Sequence, residues 1–150
     1  MDYSAQTLML VDDEPQILKA LTRVVRPLKC KVIAHESAVT ALEELKTTPV
    51  DLIISDMRMP EMSGEVFLEQ VAEQWPDTER VVMTGYADLQ ASIDAINRGR
   101  ISRFMAKPWN DEEVTKVVRK GFELARLRRR NDELQALTEQ KNQELAQLNK

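Results

Sequence analysis

The 150-residue sequence holds a single cysteine and a single histidine, which removes two chemistries at the outset. Cys30 has no internal disulfide partner. It sits in the apolar run Cys30-Lys31-Val32-Ile33-Ala34 and reads as a small core residue of a protein suited to a reducing compartment. His35, with no second histidine or cysteine nearby, reads as a surface loop residue rather than a metal ligand. Apolar runs of membrane-spanning length are also missing, and Met1-Asp2-Tyr3-Ser4 is not a charged-then-apolar leader. The expectation is a cytoplasmic protein with no membrane partner. No GxxxxGK stretch occurs, so a nucleotide-binding P-loop is excluded. Excess positive charge is lacking too: the net charge is −4, which argues against general attraction to nucleic acid or anionic lipid.

What remains is a globular balance, 43% hydrophobic and 31% charged, with length for one ordinary domain and a modest extension. Short apolar runs alternate with helical patterns. Thr7-Leu8-Met9-Leu10-Val11 predicts a buried strand, followed by Pro15 near a helix start and by Leu18, Leu21, Val25 and Leu28 at helical spacing. Residues 30–34 predict a second strand, and a helix from about Ser37 carries Leu42 and Leu45. Leu52-Ile53-Ile54 runs straight into Ser55-Asp56, a helix spans Gly64 to Trp75, and Arg80-Val81-Val82-Met83 leads to Thr84-Gly85. Asp88 is placed to cap a helix bearing Leu89, Ile93 and Ile96, which Gly99 stops. Arg103-Phe104-Met105-Ala106 is the fifth strand, and Asn110 with Glu113 caps the last helix. Trp75 and Trp109 read as packing anchors beside turns. Five strands separated by helices predict an α/β fold, a doubly wound five-stranded parallel sheet with helices on both faces.

In such sheets ligands gather beyond the carboxyl ends of the strands. Here those ends are Asp12-Asp13-Glu14, Asp56, Thr84 and Lys107. Carboxylates brought that close repel one another unless a hard divalent cation joins them, and Mg²⁺ suits an open, oxygen-rich site. A carboxylate beside a metal and a lysine is a competent nucleophile toward phosphorus, and phosphoryl transfer asks mainly for positioning and charge neutralisation. Taken singly, Asp12-Asp13 before Pro15 is an ordinary acidic helix start, Thr84 a turn residue and Lys107 a surface charge. Four strand ends carrying suitable residue types together point to chemistry.

Residues 7–124 resemble the response regulator receiver family, the CheY-like phosphoacceptor domains of two-component signalling. The resemblance rests on Val11-Asp12-Asp13-Glu14-Pro15, on Asp51-Leu52-Ile53-Ile54-Ser55-Asp56-Met57-Arg58-Met59-Pro60 with Ser63-Gly64, on Thr84-Gly85, and on Phe104-Met105-Ala106-Lys107-Pro108. It implies strand order 2-1-3-4-5 and Asp56 as phosphoacceptor. It further implies Mg²⁺ held by Asp13, Asp56 and the backbone carbonyl of Arg58, with Asp12 supporting. Thr84 would bond the phosphoryl group, Lys107 would pair with it, Phe104 would be the switch aromatic, and the Lys107-Pro108 bond would be cis. Arg58 and Tyr86 would tune phosphoryl lifetime. The implied partner is a sensor histidine kinase or phosphotransfer protein. The chain itself is expected to act as a self-phosphorylating and self-dephosphorylating receiver, not as an enzyme on external substrates. The Thr84-Gly85-Tyr86-Ala87-Asp88 and Lys107-Pro108-Trp109 variants resemble receivers joined to HD-GYP phosphodiesterase or related output domains.

The expected division is a receiver over 1–124 and an extended helix over 125–150, a coiled-coil linker to an output domain beyond these residues. From about residue 117, Val117, Leu124, Asn131, Thr138 and Leu145 fall at a positions, and Leu127, Leu134 and Leu148 at d positions, with Lys141 the exception. That pattern predicts a parallel homodimer in which Asn131 fixes register and Glu123 at g pairs with Arg128 at e. Arg126 and Arg128-Arg129-Arg130 read as a solvated helix face rather than a DNA contact. Two other functions compete. One is a coiled-coil adaptor indifferent to phosphorylation. The other is an aspartyl-phosphate hydrolase like the haloacid dehalogenases, which want a second acid two residues after the nucleophile, where this chain has Arg58.

Overall fold

Five short apolar runs become the strands of one parallel sheet in the computed structural model, which describes residues 3–85, 89–97, 101–107 and 109–148. The strands are β1 (Thr7–Val11), β2 (Lys31–His35), β3 (Leu52–Asp56), β4 (Glu79–Thr84) and β5 (Arg103–Ala106), in the order β2-β1-β3-β4-β5. The helices are α1 (Pro15–Val25), α2 (Ala38–Leu45), α3 (Gly64–Gln74), α4 (Leu89–Asn97) and α5 (Asp111–Leu148). The fold class and strand order expected from the sequence are those observed.

Alternate residues of each central strand serve two different cores, as the two-residue period of a strand requires. Leu8, Leu10, Leu52, Ile54, Val81 and Met83 pack with Leu18, Leu21, Val118 and Phe122 under α1 and α5. Met9, Val11, Ile53 and Val82 pack with Ala41, Phe67, Leu68 and Val71 under α2 and α3. Both faces are covered, so β1, β3 and β4 are buried along their whole length, while the edge strand β2 is largely half-buried or exposed. Gly121 lets α5 lie close on β3: a methyl group there would meet the Leu52 side chain at 2.7 Å. Truncating the fully buried Phe122 to alanine would cost about 3–5 kcal/mol.

The helix starts follow local chemistry. Pro15 opens α1, where its missing N–H costs nothing. The Ser63 hydroxyl accepts from the Val66 N–H at 3.2 Å to cap α3. Asn110 Oδ1 accepts from the Glu113 N–H at 2.7 Å, the cap expected of that pair, and Asp111, Glu112 and Glu113 fill the first turn of α5.

Several expectations are corrected. The second strand is shifted by one residue, because Thr7 pairs with Lys31 and Val11 with His35. Cys30 therefore precedes the strand, half-buried, and His35 is the end of β2, its Nδ1 3.1 Å from the Thr40 hydroxyl, and not a loop residue. Leu28 belongs to a 3₁₀ turn after α1. Val117 is 8% exposed within the receiver core and is unavailable to a dimer seam. Arg128, Arg129 and Arg130 are exposed, as a solvated face requires, but Arg126, Arg128 and Arg129 also reach back to the body of the domain, and Arg128 pairs with Glu79 of its own chain. The expected roles of Tyr86, Asp88 and Gly99 and the geometry at Pro108 fall outside the described residues, as do the side chains of Leu89, Leu145 and Leu148.

Candidate functional site

The parallel sheet delivers its polar strand ends to one edge. β1 leads into Asp12 and Asp13, β3 ends at Asp56, β4 ends at Thr84, and Lys107 follows β5. Carboxylate oxygens of Asp12, Asp13 and Asp56 all lie within 4.8 Å of one another. Lys107 Nζ donates to Asp56 Oδ1 at 3.0 Å and stands 3.9 Å from Asp12 Oδ2.

Burial divides the carboxylates. Asp12 is fully enclosed, Asp56 is 8% exposed, and Asp13 faces solvent. Asp12 Oδ1 accepts from the Glu14 N–H at 2.9 Å, while Asp12 Oδ2 has no hydrogen-bond donor. Its pKa is raised from 3.8 to about 6, mainly by desolvation; the charges of Asp56 and Asp13 add to the rise, and the Glu14 amide and Lys107 oppose it. Burial pulls the Lys107 pKa down, but the hydrogen bond and charge of Asp56, with Asp12 and Glu14 behind it, carry it above its ordinary 10.5. Lys107 is therefore a fixed cation at any physiological pH.

The loop after β3 is held by a close approach. The Gly64 N–H donates to the Met57 carbonyl at 2.8 Å, and a Cβ on Gly64 would fall 2.0 Å from the Asp56 carbonyl oxygen. Only glycine fits there, so the start of α3 buttresses the backbone that carries Asp56. Arg58 is exposed on this loop, two residues beyond Asp56. On the other side the Lys107 N–H donates to the Thr84 carbonyl at 2.8 Å, and the Thr84 hydroxyl donates to the Gly85 carbonyl at 3.1 Å. Phe104 pairs with Val82 across β4 and β5 and packs, half-buried, on the α2–α3 side of the sheet.

The donor set fits a hard divalent cation. Three carboxylates converge, one buried oxygen lacks a partner, and an open side faces solvent at Asp13. Of the residues that sequence reasoning named, the structure brings Asp12, Asp13, Asp56 and Lys107 together. Sequence reasoning did not find that Asp12, cast as a supporting residue, is the member of this trio of carboxylates that is both fully buried and partly unsatisfied. The backbone contact of Gly64 was visible only as part of a motif.

Residues 8–119 match the family model described as the response regulator receiver domain. The chain is 33% identical over 126 residues to the hydrogenase transcriptional regulatory protein HoxA of Bradyrhizobium diazoefficiens, covering 84% of this chain and 26% of that protein. It thus spans about a quarter of the length of that relative. Among solved structures, an uncharacterized protein from Neptuniibacter caesariensis is 62% identical with a TM-score of 0.84, covering 87% of this chain and 96% of that one. The signal receiver domain of an HD domain-containing protein from Pseudomonas fluorescens Pf-5 is 34% identical with a TM-score of 0.78, covering 83% and 92%. The matched residues run from β1 into α5 and include every member of the carboxylate–lysine cluster, and the chain belongs to the response regulator receiver family.

Proposed function

We propose that the chain is the receiver of a two-component phosphorelay, with Asp56 accepting a phosphoryl group from the phosphohistidine of a sensor histidine kinase or phosphotransfer protein. The observation that carries this reading is the meeting of Asp56 with Lys107 at 3.0 Å and with Asp12 and Asp13 at one sheet edge. A carboxylate oxygen of Asp56 attacks phosphorus, the new P–O bond replaces the P–N bond, and the imidazole leaves with that electron pair. Lys107 neutralises charge on the phosphoryl oxygens. Thr84 hydrogen-bonds one of them, turning away from Gly85, and Phe104 follows it inward. Asp13, Asp56 and the backbone carbonyl of Arg58 would hold Mg²⁺, with Asp12 in support. That ion would supply charge neutralisation and alignment of the transferring group.

On this reading residues 1–124 are the receiver and 125–150 the helical linker, and the chain is a switch in the cytoplasm rather than an enzyme on external substrates. Among the described residues no helix is long and apolar enough to cross a membrane. The output is an attached or partner module. The likeness to the receiver of an HD domain-containing protein supports an HD-type phosphodiesterase output, and HoxA's name describes a transcriptional regulator. The linker also carries Leu127, Leu134 and Leu137 at 62%, 55% and 53% exposed, which supports a homodimer whose seam starts at Leu127. Direct nucleic-acid contact by this chain is not part of the reading.

Incubation with acetyl phosphate and Mg²⁺, followed by intact-mass measurement, tests the proposal. The wild type gains one phosphoryl mass and Asp56→Asn gains none. Equal gain by both proteins removes Asp56 from the chemistry.

A further inference from the structure

Helix α5 leaves the core where the sheet ends, and what it meets there is charge. Val118, Phe122 and Ala125 line its buried face, and Ala125 is the last buried one among the described residues. Just beyond, at the edge of the sheet opposite the carboxylate site, Arg128 Nη1 lies 3.1 Å from Glu79 Oε1 and donates to the Pro76 carbonyl at 2.9 Å. Arg129 Nη2 lies 2.9 Å from Asp51 Oδ1. Arg126 donates from Nε to Gln6 Oε1 at 3.2 Å, with its guanidinium 5.2 Å from the centre of the Tyr3 ring.

The acids are not surface groups. Glu79 is 2% exposed and Asp51 3%. Asp51 Oδ2 accepts from the Thr7 N–H at 2.7 Å, but Asp51 Oδ1 and Glu79 Oε1 have no hydrogen-bond donor. The guanidinium groups reach ion-pair distance without hydrogen-bond alignment, so these two buried oxygens are held by charge and not by donated hydrogen bonds, and at Glu79 the neighbouring Arg80 adds its charge to that of Arg128. One turn further along α5, the Asp77 carboxylate, by hydrogen bonding and charge, raises the Asp132 pKa, and Arg128 opposes that rise. Attraction at Arg128 and Arg129 is thus set against repulsion at Asp132.

The positions of the acids connect this edge to the candidate site. Glu79 begins β4, which ends at Thr84, and Asp51 immediately precedes β3, which ends at Asp56. The two strands pair in continuous register from Leu52↔Glu79 to Asp56↔Met83. A ladder of that kind moves as a unit, so displacement of β4 at the Thr84 end is felt at Glu79.

We propose that Arg126, Arg128 and Arg129 form a clasp that fastens the free segment of α5 to the start of β3 and β4, and that these strands link the state of Asp56 to the hold on that segment. The linkage rests on the phosphoacceptor reading; the clasp does not. The three arginines are positioning residues and take no part in the chemistry. Hydrogen exchange of the full chain, read at the amides of residues 126–135, tests both parts. Arg128→Gln/Arg129→Gln should open this segment about tenfold more often than wild type, since two buried carboxylates lose the ion pairs that tie them to α5. Arg130→Gln, at an exposed neighbouring position, should match wild type, and Glu79→Gln/Arg128→Gln should recover most of the protection lost in Arg128→Gln. Wild-type protection in the double arginine variant, or equal loss in Arg130→Gln, overturns the clasp. With acetyl phosphate and Mg²⁺, exchange at 126–135 should change at least threefold in wild type and not in Asp56→Asn or Arg128→Gln/Arg129→Gln. Unchanged exchange in a wild type that has gained the phosphoryl mass overturns the linkage and leaves the phosphoacceptor reading intact. A wild type that gains no phosphoryl mass takes that reading and the linkage down together, while the first arm still decides the clasp.

Discussion

Replacing Asp12 by asparagine should stabilise the metal-free protein at neutral pH. Asp12 is fully enclosed, its Oδ2 lacks a hydrogen-bond donor, and Lys107 stands off at 3.9 Å, too far to compensate for its lost hydration. Its folded pKa of about 6 lies above the 3.8 of the unfolded chain, so the folded state holds this proton more tightly. The ionised form therefore weighs against folding above about pH 6, the penalty shrinks as pH falls through that value, and it is gone below about 3.8. A separation of about two units corresponds to ~3 kcal/mol at pH 7.5. Asparagine keeps an oxygen for the Glu14 N–H and removes the charge, so it should recover roughly 1–3 kcal/mol of that. For a domain of this size the gain is a melting temperature about 3–12 °C higher. The assay is thermal or urea unfolding in chelator across pH 4.5–8. The advantage of Asp12→Asn should be largest at the alkaline end and fade toward the acid end. A variant no more stable than wild type at pH 7.5, or an advantage that does not shrink on acidification, would refute the reasoning. Mg²⁺ should then narrow the gap by binding the wild type more tightly.

Asp13→Ala should weaken Mg²⁺ binding at least tenfold by removing a charged oxygen ligand, read by titration calorimetry or by Trp109 fluorescence. Gly64→Ala should cost about 2–4 kcal/mol in urea unfolding, because the new Cβ falls 2.0 Å from the Asp56 carbonyl oxygen and the start of α3 must move. Leu127→Lys/Leu134→Lys should turn a dimer into a monomer in sedimentation velocity at micromolar concentration. A wild type that is already monomeric refutes the seam, and a dimer that survives both changes moves the interface onto the receiver.

The fold was legible because its information is local and periodic. Five apolar runs of strand length, each ended by a polar residue, leave little choice but a parallel sheet with helical crossovers. The carboxylate site was legible for the same reason, since a parallel sheet sends every strand end to one edge. Strand ends alone fell within a residue of their observed positions; the slip at Cys30 arose because an edge strand has no second neighbour to fix its register in the apolar pattern.

The opposite edge was not legible, and the cause is physical. Asp51 and Glu79 each stand just before or at the start of an apolar run, where an acid ordinarily marks solvent. Arg128-Arg129-Arg130 stands in a stretch of helix whose leucine stripe reads as a dimer seam and does not say which side faces the domain. Each charge alone has an innocent reading, and only a contact spanning 49 residues of sequence between Glu79 and Arg128, and 78 between Asp51 and Arg129, makes them one feature. The same contact changes what the heptads mean. Periodicity put Val117 and Arg128 in a dimer seam, yet the sheet has already taken the first and Glu79 the second. A repeat of seven says which residues share a stripe, but burial decides who meets it. Up to Ala125 the partner is the receiver's own core, across the clasp it is the sheet's edge, and only from Leu127 onward does the stripe lie open to a second chain.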